Sequence, residues 1–476
     1  MKLLYIDLFC GAGGTSTGVE NARYEGRQCA KVIGCVNHDA NAIASHAANH
    51  PDALHFTEDI RMLELSPLTA HIAEMRRQYP DAFVVLWASL ECTNFSKAKG
   101  GQPRDSDSRT LAEHLFRYIE AINPDYIQIE NVEEFMSWGD LDENGKPISK
   151  DAGRLYLQWV SNVCGYGYRF AHRILNSADY GAYTTRRRFF GIFAKGSLPI
   201  VFPEPTHSKD GATGLFGQMQ RWKPVREVLD FTDEGKSIFG RKKPLVDATL
   251  ERIYAGLIKF VAGGKEAFLV KWNSMSSTGK YHAPSGIAQV NFLSKHYGGS
   301  PAGKCVSVEE PAGTITTWDH HSFITAYYGN GHNHSIDAPA PTLTTRDRLA
   351  FVDMQYGNGT PCGIETPAPT VTTNPKHQLV TCRMKQQGAT IAVTTDDSPA
   401  MAKIKRFMAL YGIIDIKMRM LRIPELKRIM GFPSDYVLVG TQADQKKFIG
   451  NAVEVNMARV LCEALCTQLI KNNIAA

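Results

Sequence analysis

Short apolar runs alternate with helical patterns over the first 200 residues. Leu3–Phe9 is apolar except for Asp7 and reads as a buried strand, Gly11–Gly14 as a turn, and Thr15–Arg23 as the helix that follows. Lys31–Val36, Phe83–Trp87, Tyr126–Glu130 and Phe189–Phe193 give further strands. Strands alternating with helices predict an α/β fold with a parallel sheet. In such a sheet the ligand sits beyond the carboxyl ends of the strands. The loops opening at Cys10, Asn37, Ala88 and Asn131 are therefore where chemistry is expected.

The pattern changes between about 205 and 400. Helical periodicity fades after Phe260, and Pro, Gly, Thr and His become frequent. The segments 311–317 (PAGTITT), 339–345 (PAPTLTT) and 367–373 (PAPTVTT) recur at a spacing of 28, as does YGNG at 328–331 and 356–359. A period in this range marks stacked supersecondary units, and the Thr-rich β-branched runs suit strands between Pro and Gly turns. The repeat serves equally well as plain β structure or as a ligand-contacting surface. After 403 helices return. Ile423–Met430 is stopped by Gly431-Phe432-Pro433, and Asn456–Ile470 is apolar at Met457, Val460, Leu461, Leu465 and Leu469.

Composition narrows the class. A chain of 476 residues suggests two or three domains, and 43% hydrophobic with 21% charged residues predicts a packed protein. The net charge of +5 is compatible with a polyanionic partner and proves none. No apolar run approaches the roughly 18 residues of a membrane helix, and the N-terminal segment breaks at Asp7 before a signal peptide could form. Ten cysteines include no CxxC pair, which disfavours a zinc ribbon or a disulfide framework. A reducing, cytoplasmic setting is expected. His320-His321 and His332-Asn333-His334 lack supporting carboxylate or thiol spacing, so no metal is expected.

Several loops carry candidate chemistry, each with a bland alternative. Phe9-Cys10-Gly11-Ala12-Gly13-Gly14 allows close approach of a ligand to the backbone, yet Ser16 stands where a dinucleotide fingerprint wants its third glycine. Asn37 and Asp39 follow the second strand, and Asp59-Ile60 the next apolar segment; loop acids of this kind are as often merely solvated. Cys92 lies just past a buried strand, where a reactive group belongs, although an isolated cysteine is usually core. The Gly-rich basic stretch Ser96–Arg109 has the composition of a mobile flap over an anion. Glu130-Asn131-Val132 ends a strand, and Arg186-Arg187-Arg188 supplies cations for a carboxylate or for phosphates.

The order of these segments, closing with Gly450-Asn451-Ala452-Val453, resembles the DNA cytosine-5 methyltransferase family, of the bacterial or phage type and its Dcm-like subgroup. The resemblance is strong over about 1–205 and 403–476. It implies a Rossmann-like S-adenosylmethionine-dependent catalytic domain, in the α/β class, with an inserted, mainly β target-recognition domain. The divisions would be 1–205, 206–402 and 403–476. It further implies Cys92 as nucleophile, Glu130 and Arg188 at the base, and Arg186 near them or the phosphates. Phe9, Gly11, Gly13, Gly14, Asn37, Asp39, Asp59, Ile60, Leu111 and Asn451 would line S-adenosylmethionine. Double-stranded DNA is the implied partner, for a monomer with no membrane or metal partner, acting beside a cognate restriction endonuclease. Glu91, Thr93, Asn37 and Thr184 depart from the family pattern. A silent DNA-binding relative, a tRNA methyltransferase and an enzyme using an altered sulfonium donor therefore stay open.

Overall fold

In the computed structural model, the described residues are 1–90, 112–140, 152–211, 213–214, 217–233, 235–262, 393–411, 413–474 and 476, with strand segments between 292 and 384. Cys92, Leu111, the 96–109 loop and nearly all of the 28-residue repeat lie outside them. The chain forms two compact units, one of residues 1–182, 186–207 and 430–476, the other of 183–185 and 208–429.

The first unit is built on a seven-stranded sheet: β1 (Leu3–Leu8), β2 (Ala30–Asn37), β3 (Leu54–Thr57), β4 (Phe83–Ser89), β5 (Tyr126–Asn131), β6 (Tyr168–Asn176) and β7 (Arg187–Lys195). Their order is β3-β2-β1-β4-β5-β7-β6. β1 to β5 run parallel, while β7 is antiparallel to both of its neighbours. The wholly parallel expectation is therefore corrected at Phe189–Phe193. This reversal brings the amino end of β7 to the edge where β5 ends.

The near-continuous apolar strands follow from burial on both faces. Leu4, Ile6 and Leu8 of β1 face a layer of α3 (Ser66–Gln78), α4 (Leu115–Ile122) and α5 (Arg154–Cys164) through Leu68, Ile72, Leu115, Ile119, Tyr156 and Trp159. Leu3 and Tyr5 point the other way, onto Met457, Leu461, Leu465 and Leu469 of α7 (Val455–Lys471). The period-2 alternation of β1 thus selects its two helical layers. The first helix, α1 (Gly14–Glu20), is shorter than expected. Asn21 ends it, and Arg23-Tyr24 pairs with Arg27-Gln28 across Glu25-Gly26, both at positive φ. That tight hairpin takes up residues a longer helix would need. α2 (Ala40–Asn49) and α6 (Gln442–Asn451) complete the unit, each with a side-chain N-cap, from Asp39 and from Thr441.

The second unit holds a nine-stranded, mainly antiparallel sheet in which Ile413–Met420 pairs with His377–Met384. Helices Asp247–Gly256 and Pro399–Tyr411 meet through Tyr254 and Phe407, 6.1 Å between ring centroids. Arg419 binds the buried Glu425 carboxylate with both forks, at 2.8 and 2.9 Å.

Candidate active site at the carboxyl edge of the sheet

The registers place the strand ends side by side. Leu8 pairs with Val36 and Ala88, Asn37 with Thr57, and Ser89 with Glu130. Because β7 runs backwards, Glu130 also sits opposite Phe190, two residues from Arg188. Arg188 Nε lies 3.2 Å from Glu130 Oε1, and both side chains are less than a tenth exposed. A second ion pair, Arg187 Nε to Glu133 Oε1 at 2.8 Å, lies on the exposed side. Asn131 Oδ1 accepts from Val132 N at 2.8 Å, and its Nδ2 lies 3.5 Å from the carbonyl of Leu90. The chain leaving β4 toward Cys92 is thus tied to the strand that carries Glu130. Arg186, also buried, donates to the Gly450 carbonyl at 3.3 Å, next to Asn451, which is exposed at the end of α6.

The candidate cofactor residues divide into two kinds. Phe9 has φ +61, a left-handed conformation rare for an aromatic residue and a mark of a constrained functional turn. A Cβ at Gly11 would meet nothing within 4 Å, so this part of the turn faces open space. A Cβ at Gly13 would come within 2.4 Å of Tyr436 Oη, and one at Gly14 within 2.5 Å of the Val453 carbonyl. These two glycines are required by packing. Asn37 Oδ1 accepts from Asp39 N at 2.9 Å, and Asp39 caps α2 while pairing with Lys447 at 3.1 Å. Asp59 is gripped by Arg61, whose guanidinium and backbone hydrogen bonds hold its carboxyl down at about 2. Ile60 is buried, and its carbonyl accepts from Tyr118 Oη at 2.8 Å. An S-adenosyl group here would meet the open Gly11 turn, the apolar Ile60 and the Asp59 carboxylate that Arg61 already engages.

A buried polar network beneath the turn was not legible from spacing. Ser16 Oγ donates to Asp7 Oδ2 at 2.8 Å and lies 2.8 Å from His46 Nε2. His50 joins Glu20 at 2.7 Å, Thr17 at 3.0 Å and Tyr436 at 3.3 Å. Burial raises the Asp7 carboxyl to about 8, against the lowering hydrogen bond from Ser16. His46 on α2 and His50 at its C-terminal cap, four apart, were the available signal, together with Ser16 itself.

A model of the C-5 cytosine-specific DNA methylases matches residues 3–467. The chain belongs to that family. Among its relatives is the Type II methyltransferase M.AgeI of Thalassovita gelatinovora, 28% identical over 211 residues, 44% of each chain. The Type II methyltransferase M1.HphI of Haemophilus parahaemolyticus is 26% identical over 216 residues, 45% of this chain and 52% of its own. The matches thus span about half the length of these curated relatives. The solved structure of the methyltransferase EhMeth of Entamoeba histolytica aligns at a TM-score of 0.46 and 13% identity, over 98% of this chain and 99% of its own. No described helix is long and apolar enough to cross a membrane.

Proposed function

We propose that this chain transfers a methyl group from S-adenosylmethionine to C5 of a flipped-out cytosine within a short sequence of double-stranded DNA. The observation that carries the reading is the buried Glu130–Arg188 pair at the strand edge next to the segment leading to Cys92. Family membership gives it context. When bound, S-adenosylmethionine supplies an electrophilic methyl on a sulfonium, held by Phe9, Gly11, Asp59, Ile60 and, outside the described residues, Leu111.

The remaining chemistry belongs to the chain. The Cys92 thiolate adds to C6, forming a C–S bond and moving the C5–C6 π electrons onto C5. Glu130 holds a proton at N3 and so stabilises the charge that develops in the ring. Arg188 fixes Glu130, and Arg186 lies beside the loop of Asn451. C5 takes the methyl, a base removes the C5 proton, and the restored double bond expels the Cys92 thiolate. The target leaves the stack first, because C6 is unreachable in a duplex. Residues 206–402 are assigned to target recognition, with their repeat as the mark of the Dcm-like subgroup. The protein acts as a cytoplasmic monomer alongside a cognate endonuclease.

The test is transfer of labelled methyl to duplex DNA, with trapping on 5-fluorocytosine DNA. Wild type is expected to methylate and to form a covalent adduct, and Cys92→Ser to do neither. Undiminished transfer by Cys92→Ser would overturn the mechanism. No adduct from wild type would favour a silent DNA-binding relative, and methylation confined to tRNA would redirect the substrate.

A further inference from the structure

Four metal-ligating side chains converge behind the Phe9–Gly14 turn, each from a different element: Cys10 from the turn, Cys35 from β2, His46 from α2 and His55 from β3. Cys10 Sγ, Cys35 Sγ and a ring nitrogen of His46 lie within 4.8 Å of one another, and all three residues are buried. Cys35 Sγ is 3.6 Å from His46 Nδ1, which is 3.0 Å from His55 Nε2. In a tetrahedral zinc site with bonds of about 2.0–2.3 Å, neighbouring donor atoms stand roughly 3.3–3.8 Å apart. Cys10, Cys35 and His46 stand close to that geometry, and His55, beside His46, must turn further toward Cys10 to become the fourth donor.

The surrounding hydrogen bonds accommodate the same arrangement. Ser16 Oγ has one proton and donates it to Asp7 Oδ2. Ser16 Oγ also lies 2.8 Å from His46 Nε2, and the tautomer with the proton on Nε2 leaves a lone pair on His46 Nδ1. That lone pair faces His55 Nε2 and the Cys35 sulfur. A cation between two imidazole nitrogens and two thiolates satisfies all four at once. Two thiolates and two neutral imidazoles also balance a divalent charge, and an N/S donor set selects zinc over magnesium or calcium. The chain Asp7–Ser16–His46 is the outer hydrogen bonding that orients a metal-bound histidine. Ile43 packs on Cys10 and Cys35 and closes the apolar side, while half-buried His55 leaves a way in.

We propose that Cys10, Cys35, His46 and His55 bind one zinc-class divalent ion. The ion ties two adjacent strands and α2 to the turn that carries Phe9 and Gly11. Its consequence for S-adenosylmethionine rests on the reading of that turn given above; the site itself does not.

The test uses the full chain, produced with zinc supplied and purified without chelator. Mass-spectrometric metal analysis is expected to find about one zinc per chain. Cobalt replacement is expected to give the visible bands of a tetrahedral thiolate centre. Cys35→Ser and His55→Ala should each lower zinc affinity by about 10-fold or more, and Cys164→Ser, outside the cluster, should not. His55→Ala is the milder change and decides the matter where Cys35→Ser fails to fold. Chelation of wild type is expected to weaken S-adenosylmethionine binding. Three outcomes overturn the site: less than about a tenth of an equivalent of zinc after incubation, a Cys10–Cys35 disulfide in its place, or variants holding as much zinc as wild type; S-adenosylmethionine binding as tight by a zinc-free chain as by the loaded one overturns the link to the turn. A chain that holds zinc and binds no S-adenosylmethionine keeps the site and removes the methyltransferase reading.

Discussion

The glycines of the turn differ in what stands where a Cβ would go. Gly14→Ala would drive a methyl group against the Val453 carbonyl at 2.5 Å, so a loss of about 1–3 kcal/mol is expected in denaturant unfolding. Gly11→Ala meets no atom but must hold φ +51, which costs about 1–2 kcal/mol. Only Gly11→Ala is expected to weaken S-adenosylmethionine binding in the folded protein. Equal weakening by both, read by calorimetric titration, would contradict the division into packing and cofactor glycines. Arg188 poses a sharper case. Arg188→Ala leaves the Glu130 carboxylate buried without its guanidinium, a change that costs about 3–5 kcal/mol. Methyl transfer should fall about 100-fold or more. Glu130→Gln keeps the shape and removes the acid, so its transfer should fall while its unfolding midpoint moves less than that of Arg188→Ala.

Among the elements, α7 and the segment 419–425 each depend on a buried carboxyl. Glu454 caps α7, accepting from Asn456 N at 3.2 Å and Met457 N at 2.7 Å. Burial outweighs these bonds and raises its carboxyl from 4.5 to about 7. A raised folded value means that the folded chain holds the proton more tightly than the unfolded one. The linked stability is present in full below pH 4.5 and is lost as pH rises to about 7. Glu454→Gln still accepts at the cap and cannot ionise. It should remove up to about 3 kcal/mol of the fall in stability across that window. Asp7, raised to about 8 by burial, keeps a residual slope at higher pH. Denaturant unfolding at stepped pH checks both, and an unchanged slope in Glu454→Gln would count against the assignment. Glu425 is held by hydrogen bonds instead: Arg419 grips it twice, and Asp230 N and Arg422 N donate to it at 2.8 and 2.7 Å. Glu425→Ala should cost about 1–3 kcal/mol, measured the same way, because Arg419 then keeps only the more distant Asp233 carboxylate, at 3.5 Å.

Across the whole molecule, the sequence was most informative where one local pattern decides one local structure. The apolar runs at 3–9, 31–36, 83–87 and 126–130 became strands with ends shifted by a residue or two. The helices expected over 423–430 and 456–470 formed over Ile423–Ile429 and Val455–Lys471. The direction of β7 was not legible, because an apolar run reads alike both ways; only its pairing with β5 and β6 fixes it. That direction nevertheless brings Arg188 to Glu130, fifty-eight residues earlier in the chain. The cluster of Cys10, Cys35, His46 and His55 escaped for the same reason, since no short spacing announces ligands delivered by four elements. Composition carried least: 53 basic against 48 acidic residues leaves +5 on 476 residues. If the proposed substrate is duplex DNA, a modest total charge must still neutralise phosphates locally, and binding must release counterions. The logarithm of the affinity should then fall linearly with the logarithm of salt, with a slope of about −0.9 per phosphate contacted. Six contacts would weaken binding about a thousandfold between roughly 50 and 200 mM salt. Fluorescence anisotropy of a labelled duplex over that range measures the slope directly. A flat profile would mean that the basic residues are spent on internal pairs such as Arg419–Glu425, and would remove the duplex from the proposal.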